Sequence, residues 1–364
     1  MIVTILLVVA MLSVLVFVHE LGHFLEARRA GIDVEEFGFG FPPRVFGRQV
    51  GRTLYSINLF PLGGFVRLKG ESGDEAGPGS FTSARFKDKT KVLLAGVGMN
   101  LALAYLVLVG LCLTGLPPVL DNQFNFGNPT YSQPRQLIAA EVVKGSPAET
   151  AGLKEGDYVL SGNGVVFEQP QQLADFTKAH AGQTVNLTIR HGSEERQVTA
   201  KLHDAANKDG YLGVLPVQFY KLHYDLLHAP VVAAGILVQI FWATLSGLGH
   251  FLLSIPALFG GLFARKVVAT EATGPIGIIY FLGHLRSFGL SPLLLIFMNI
   301  SVALAVFNVL PLPALDGGRW ALLAWQKLTG RKLDPSLENR IHTYGFLALI
   351  LIALLVTAND IKRF

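Results

Sequence analysis

The stretch from Ile2 to Leu25 reads IVTILLVVAMLSVLVFVHELGHFL. Apart from Thr4 and Ser13 it is apolar up to Val18, and His19, Glu20 and His23 then appear before the hydrophobic run has ended. About 20 mainly apolar residues are what a helix needs to cross a bilayer. The run has no basic opening and no small-residue cleavage site, so it reads as a retained transmembrane helix rather than a signal peptide. On such a helix His19 and His23 are one turn apart on one face, where both imidazoles can reach one Zn²⁺. Glu20 is then placed to act at the open fourth position, where the metal lowers the pKa of bound water and a carboxylate takes and returns its proton. This is the pattern of metal-assisted peptide hydrolysis. A chance match arises in roughly one chain in a hundred of this length. Chance does not explain why the string sits on a hydrophobic helix, where a central acidic residue costs about 2.5 to 3.5 kcal/mol on insertion scales.

The rest of the chain agrees with a membrane setting. Of its 364 residues 51% are hydrophobic and 15% charged, with mean hydropathy +0.45, which is too apolar for a soluble globular chain. The formal charge of +4 and pI near 9.1 do not point to nucleic acid, because Lys and Arg gather beside hydrophobic helices. Cys112 has no second cysteine to pair with, so no internal disulfide forms. Four blocks qualify as spans: Ile2 to Leu25, Val92 to Leu116, Leu290 to Leu315 and Ile341 to Thr357. A fifth, Pro230 to Phe263, contains Pro256, Gln239, Ser246, His250 and Ser254, and fits an interfacial or bent helix as well as a span.

Positive charge sets the expected orientation. The segment between the first two spans carries Arg28, Arg44, Arg52, Arg67, Lys87 and Lys91 among others, and the one between the last two carries Arg319, Lys327, Arg331, Lys332 and Arg340. Residues 114–131 carry none. Both basic segments are therefore placed in the cytoplasm, and both termini outside it. An extra crossing at Pro230 to Phe263 would put Arg331 on the outer side, so that block is read as interfacial. A two-helix hairpin there is the alternative, although the block is short for two crossings.

Zinc of this type needs a third protein ligand. The best candidate is Asp316 in Asn308-Val-Leu-Pro311-Leu-Pro313-Ala-Leu-Asp316-Gly-Gly318, which closes the third clear span. His250, Glu271, His284 and His342 compete for the role, and an N-cap for the following helix is the plainer use of Asp316. Pro311 and Pro313 leave carbonyls without helical partners, which a membrane tolerates only where irregular chain lines a cavity or is buried in protein. Asn308 either donates a hydrogen bond to substrate or ties two helices together.

With these motifs in place the chain resembles the site-2 proteases, specifically the bacterial regulator of sigma-E protease branch. The resemblance is carried by His19-Glu-Leu-Gly-His23, by Asn308 to Gly317 with Leu315-Asp316-Gly317, by Gly274-Pro275-Ile276-Gly277-Ile278, and by a PDZ-like segment between the two site motifs. It implies that His19, His23 and Asp316 bind one Zn²⁺ per chain, that Glu20 is the catalytic base, and that Asn308 assists substrate. It also implies a bacterial inner (plasma) membrane location, with the active site near the cytoplasmic side. Single-pass membrane proteins would be the substrates, of the anti-sigma factor or remnant signal peptide class, cut in regulated intramembrane proteolysis. The best-known relatives of this branch carry two tandem PDZ domains, and only one is visible here.

The outer domain contains Gly145-Ser-Pro-Ala-Glu-Thr-Ala-Gly-Leu153, Gly156-Asp157, Asn163-Gly164 and Gln172-Leu-Ala-Asp-Phe176, in the order of a bacterial PDZ domain. Such domains bind a peptide or its free carboxy-terminus as an added strand. In the first loop, Gly38 to Leu68 reads as short strands separated by Gly and Pro, and Glu71 to Ser80 as a flexible excursion. The resemblance implies a membrane-dipping β-hairpin here that presents substrate to zinc, with Gly63, Gly64 and Phe65 as candidate substrate contacts. A plain cytoplasmic fold is the alternative.

The expected fold is a polytopic α-helical membrane protein with four core transmembrane helices, a cytoplasmic membrane-associated β-hairpin region and one extracytoplasmic PDZ domain. Its parts are helix 1 (1–28), the cytoplasmic β-rich loop (29–90), helix 2 (91–116), a linker (117–135) and the PDZ domain (136–218). An interfacial segment (219–288), helix 3 (289–318), a cytoplasmic loop (319–339) and helix 4 (340–360) follow. Partners would be the lipid bilayer, the membrane-protein substrate and a peptide at the PDZ domain, with no nucleic acid. The rival function is a zinc-binding membrane transporter or sensor, in which intramembrane His and Asp mark an ion pathway. A PDZ scaffold is the third.

Overall fold

Helix α1 (Ile2–Arg29) is apolar along most of its length and ends at Arg28 and Arg29, where cations complement the negative end of the helix dipole. In lipid its β-branched residues are no obstacle, because a helix satisfies its own backbone polar groups. The computed structural model describes residues 2–71, 77–120, 122–131, 136–192, 194–205, 210–264, 274, 277–279, 282, 290–331 and 333–363. The chain divides into two units: Met1–Leu108 with Ala234–Arg286 and Leu293–Phe364, and Val109–Ala233 with Ser287–Pro292.

In the first unit α1 leads into β1 (Val34–Val50) and β2 (Thr53–Leu68), an antiparallel pair with repeated shifts of register. Residues 36–39 face both Gly64–Arg67 and Leu54–Ile57, while Arg44–Val50 face Thr53–Asn58. Each strand therefore bends into two arms, and the order across the sheet is 64–68, 34–39, 54–58, 44–50. Phe41, Val45, Phe46, Ile57, Leu59 and Phe60 are exposed towards the bend. The root is buried: Phe24, Ala27, Ile32, Val34, Phe37, Leu68 and Phe81 form one cluster with Val92 and Leu93 of α2 (Phe86–Thr114).

The rest of this unit is helical, with α5 (His228–Ala264), α6 (Leu290–Val309), α7 (Asp316–Thr329) and α8 (Pro335–Arg363). Five described helices, α1, α2, α5, α6 and α8, are long and apolar enough to cross a membrane, where the sequence reading counted four. The difference is α5. Instead of a hairpin it is one continuous helix running through Pro256, and its 37 residues extend about 55 Å at 1.5 Å per residue. A proline removes only one helical hydrogen bond, and the helix runs on through Pro256. Of the acidic stretch 71–80, residues 72–76 lie outside the described set, as do Pro275 and Ile276 and much of 265–289.

The second unit is a sheet in the order β8-β7-β5-β4-β9, with β6 paired to β5. Its strands are β4 (Gln136–Val142), β5 (Tyr158–Gly162), β6 (Val165–Val166), β7 (Thr184–His191), β8 (Glu194–Lys201) and β9 (Val214–Phe219). Two short strands, β3 (Thr130–Tyr131) and β10 (Leu222–His223), pair beside it. Helix α3 (Pro147–Thr150) is capped by Ser146, which accepts the Glu149 N–H at 3.2 Å. Helix α4 (Pro170–Ala179) sends Leu173 and Phe176 into a core with Leu137, Val159, Phe167, Leu187 and Ile189. The strand–helix order is PDZ-like, as its glycine and Asx turns imply.

Candidate metal centre

Two glycines bring α1 and α2 together at the motif. A Cβ added to Gly22 would lie 2.5 Å from the Ala95 carbonyl oxygen, and one added to Gly96 would lie 2.5 Å from both His19 Cε1 and His23 Nε2. Both imidazoles therefore rest on bare α2 backbone and are almost wholly buried. Their outer nitrogens meet α2 as well. His23 Nδ1 is 2.7 Å from the Val92 carbonyl oxygen, and His19 Nδ1 is 3.3 Å from the Asn100 side-chain amide. Asn100 is fully buried, its Oδ1 has no partner among the described residues, and its carbonyl accepts from Ser301 Oγ of α6 at 2.8 Å. Turning the amide over presents Oδ1 to Nδ1, the arrangement needed once Nε2 of His19 is committed to a metal and Nδ1 keeps the proton.

The third side chain arrives from a broken stretch. After Val309 the chain turns through Pro311 and Pro313, holds Ala314 at φ +75°, and re-enters a helix at Asp316. Gly317 and Gly318 press on the carbonyls of Val309, Leu310 and Leu312, leaving no room for a Cβ. Leu315 is the N-cap residue and makes no side-chain cap bond, while the Asp316 carboxylate turns instead to the histidines. Asp316 Oδ2 lies 3.0 Å from His19 Nε2 and 3.3 Å from His23 Nε2, and the two Nε2 atoms are 3.2 Å apart. Zinc–ligand bonds of about 2.0 to 2.1 Å in a tetrahedron set ligand atoms roughly 3.3 to 3.4 Å apart, so these three atoms have the spacing that zinc requires. Among the described residues this is the one convergence of three His, Cys, Asp or Glu side chains.

Glu20 is half-buried beside them, within electrostatic reach of His19, His23 and Asp316. Other sequence candidates fall elsewhere. Asn308 turns to its own helix, donating to the Leu304 carbonyl at 3.0 Å. His342 accepts the Ala314 N–H at 3.0 Å, His250 sits on α5 outside the group, and Glu271 and His284 lie outside the described residues. Gly63 and Gly64 pack against Val16 and Phe17, in the turn of α1 just before His19. On the far side of that arm, residues 64–68 pair with no described strand. Asn100 was missed by the sequence reading. A lone Asn on an apolar helix does not declare which way it faces, although Gly96 four residues before it marks the side of close approach.

In the second unit a cavity of about 310 Å³ lies between α4 and the edge strand β9, lined by Leu173, Thr177, Gly210, Tyr211, Leu212 and Val214.

The zinc metalloprotease RasP of Geobacillus kaustophilus is 27% identical over 439 residues, covering 98% of this chain and 97% of its own. A candidate zinc metalloprotease of Clostridium perfringens is 31% identical over 349 residues, 96% of each chain. The crystallised PDZ domain of an SdrC-like protein from Listeria monocytogenes is 25% identical, covering 24% of this chain and 93% of that one with a TM-score of 0.21. Peptidase family M50 matches residues 7–352, from the first turns of α1 into the last helix. That match takes in both halves of the ligand set and everything between them, and the chain belongs to peptidase family M50, as a membrane zinc metalloprotease of the site-2 protease type.

Proposed function

We propose that this metalloprotease cuts single-pass membrane proteins within or near their transmembrane segment, with His19, His23 and Asp316 holding one zinc ion. The observation that carries the reading is the convergence of ligand atoms 3.0 to 3.3 Å apart, two from α1, which is long and apolar enough to cross a bilayer, and one from Asp316 at the start of α7, in the broken stretch that follows the span-length helix α6. Zinc bound there supplies Lewis-acid polarisation of the scissile carbonyl and acidifies the attacking water. Glu20 takes the proton from that water and returns it to the leaving amine. Val92 and Asn100 hold the imidazoles in the tautomer that binds through Nε2. Asn308, freed from the Leu304 carbonyl, donates to the substrate backbone. The arm around Gly63, Gly64 and Phe65 offers main-chain groups to an extended peptide, which adds as a strand without regard to its sequence. A helical substrate keeps its carbonyls engaged, so helix-breaking residues favour cleavage.

The orientation follows the basic loops, with the active site near the cytoplasmic face of a bacterial plasma membrane and the PDZ-like unit outside. Helices α1 and α6 both run towards the ligands, so the chain between them crosses an odd number of times. Helix α2 supplies one crossing. This supports reading α5 as interfacial, since a crossing α5 would require a return within 265–289. The cavity between α4 and β9 accepts a peptide or its carboxy-terminus, giving the enzyme a way to recruit or reject substrates by what remains of their outer domain. Anti-sigma factors and remnant signal peptides are the substrate classes in view, cut after another protease in regulated intramembrane proteolysis.

The test is Glu20→Gln in proteoliposomes containing a single-pass substrate. Zinc content stays at that of the wild type, while cleavage falls by about 10² to 10⁴. Cleavage at the wild-type rate would overturn the role of Glu20, and metal-dependent ion flux without cleavage would favour a transporter.

A further inference from the structure

We propose that α8 is part of the metal centre: His342 and Gly345 hold the Pro313–Ala314 corner, and so set where Asp316 presents its carboxylate. The inference rests on Asp316 being the third zinc ligand. As a span α8 looks like a lipid anchor, with only 6% of its most apolar window buried. Its first turns behave differently. His342 Nδ1 accepts the Ala314 N–H at 3.0 Å, which places the ring proton on Nε2, a buried atom with no partner among the described residues. One turn later Gly345 meets Pro313 so closely that an added Cβ would lie 2.9 Å from the Pro313 carbonyl carbon and oxygen, and nearer still to its ring.

What these two residues hold is a conformation that needs holding. Ala314 has φ +75°, a region L-residues with a Cβ rarely occupy. Gly317 and Gly318 press on the carbonyls of Val309, Leu310 and Leu312. The corner thus touches both the first turn of α7 and the first turns of α8. Only Leu315 separates Ala314 from Asp316, so a shift of the Ala314 peptide moves the carboxylate away from His19 and His23. His342 and Gly345 act through Asp316 and are positioning residues.

The full-length chain in detergent is titrated with Zn²⁺ against a fluorescent chelator of known affinity. For His342→Ala the expected result is zinc affinity lowered about 10- to 100-fold, the usual effect of losing a group that orients a ligand. Melting of the metal-free protein should stay close to wild type. His342→Asn, whose Oδ1 takes the place of Nδ1, should restore affinity to within a few-fold. Wild-type affinity in His342→Ala, or no rescue by Asn, overturns the inference. If the alanine variant fails to fold, His342→Leu, near in volume and without an acceptor, carries the same two outcomes. If Asp316→Asn itself binds zinc as tightly as wild type, the third-ligand assignment fails instead, and the two failures are distinguishable.

Discussion

Polar side chains are buried where helices touch in the membrane unit, while the PDZ-like unit fills its core with apolar side chains and buries few polar ones, Ser146, Asp157 and Thr177 among the described residues. His19, His23, Asn100 and Ser301 are all at most 8% exposed, and each is tied to another element by a named contact. In the other unit Leu137, Val159, Phe167, Leu187 and Ile189 fill the core. Its buried carboxylate, Asp157, is paired to His191 and Arg196 at the rim. The solvent explains the difference. Lipid is as apolar as leucine, so helices in it are brought together by close backbone fit and polar contacts, for which Gly22 and Gly96 clear the way. In water the burial of each large apolar side chain stabilises by about 1.5 to 3 kcal/mol, and that is enough.

Substitutions that exchange the two kinds of interior test this contrast. The largest effect is expected from Asp316→Asn, which leaves two histidines facing a neutral amide. Zinc affinity should fall on the order of 1000-fold, about 4 kcal/mol, in the same chelator competition, with the PDZ-like unit melting as in wild type. Next is Leu187→Ala, wholly buried in the sheet. It should lower the unfolding free energy of the PDZ-like unit by about 2 to 5 kcal/mol in denaturant titration, and leave zinc affinity unchanged. If zinc affinity fell in step, the two units would not be energetically separate. The smallest is Asn100→Ala, expected to weaken zinc about 10- to 100-fold, some 1.4 to 2.8 kcal/mol, without altering the metal-free helix content seen by circular dichroism. Unchanged affinity would remove Asn100 from the support of His19.

The sequence was most legible where a local rule was strong. The spacing of His19 and His23 names a helical face, and a polar break in an apolar block singles out Asp316 without any knowledge of its neighbours. His342 was read as a rival ligand because composition shows that a histidine is present but not which nitrogen is engaged. Its partner is the Ala314 N–H, a backbone group that no side-chain pattern announces. Asn308 was read as facing substrate or another helix, and it bonds its own helix at Leu304. The α5 block was ambiguous because Pro256, Gln239, Ser246, His250 and Ser254 interrupt an apolar run that is otherwise long enough to span, and composition does not tell a helix that crosses from one that lies at the interface. The β-rich loop was seen as strands and turns, but its four-arm order depends on register shifts that alternation does not reveal.

His19 and Asp316 touch across 297 residues of sequence, and the whole PDZ-like unit lies in the loop between them. Chains are made from the amino terminus, and segments fold as they emerge. The two histidines are therefore in the membrane, seated on α2, long before their third partner has been translated. With Asp316 as the proposed third ligand, the metal centre is incomplete until residue 316 has been made. On that ligand set, peptide-cutting chemistry waits until the last third of the chain has been inserted and packed, and the order of translation would itself keep the nascent enzyme inactive.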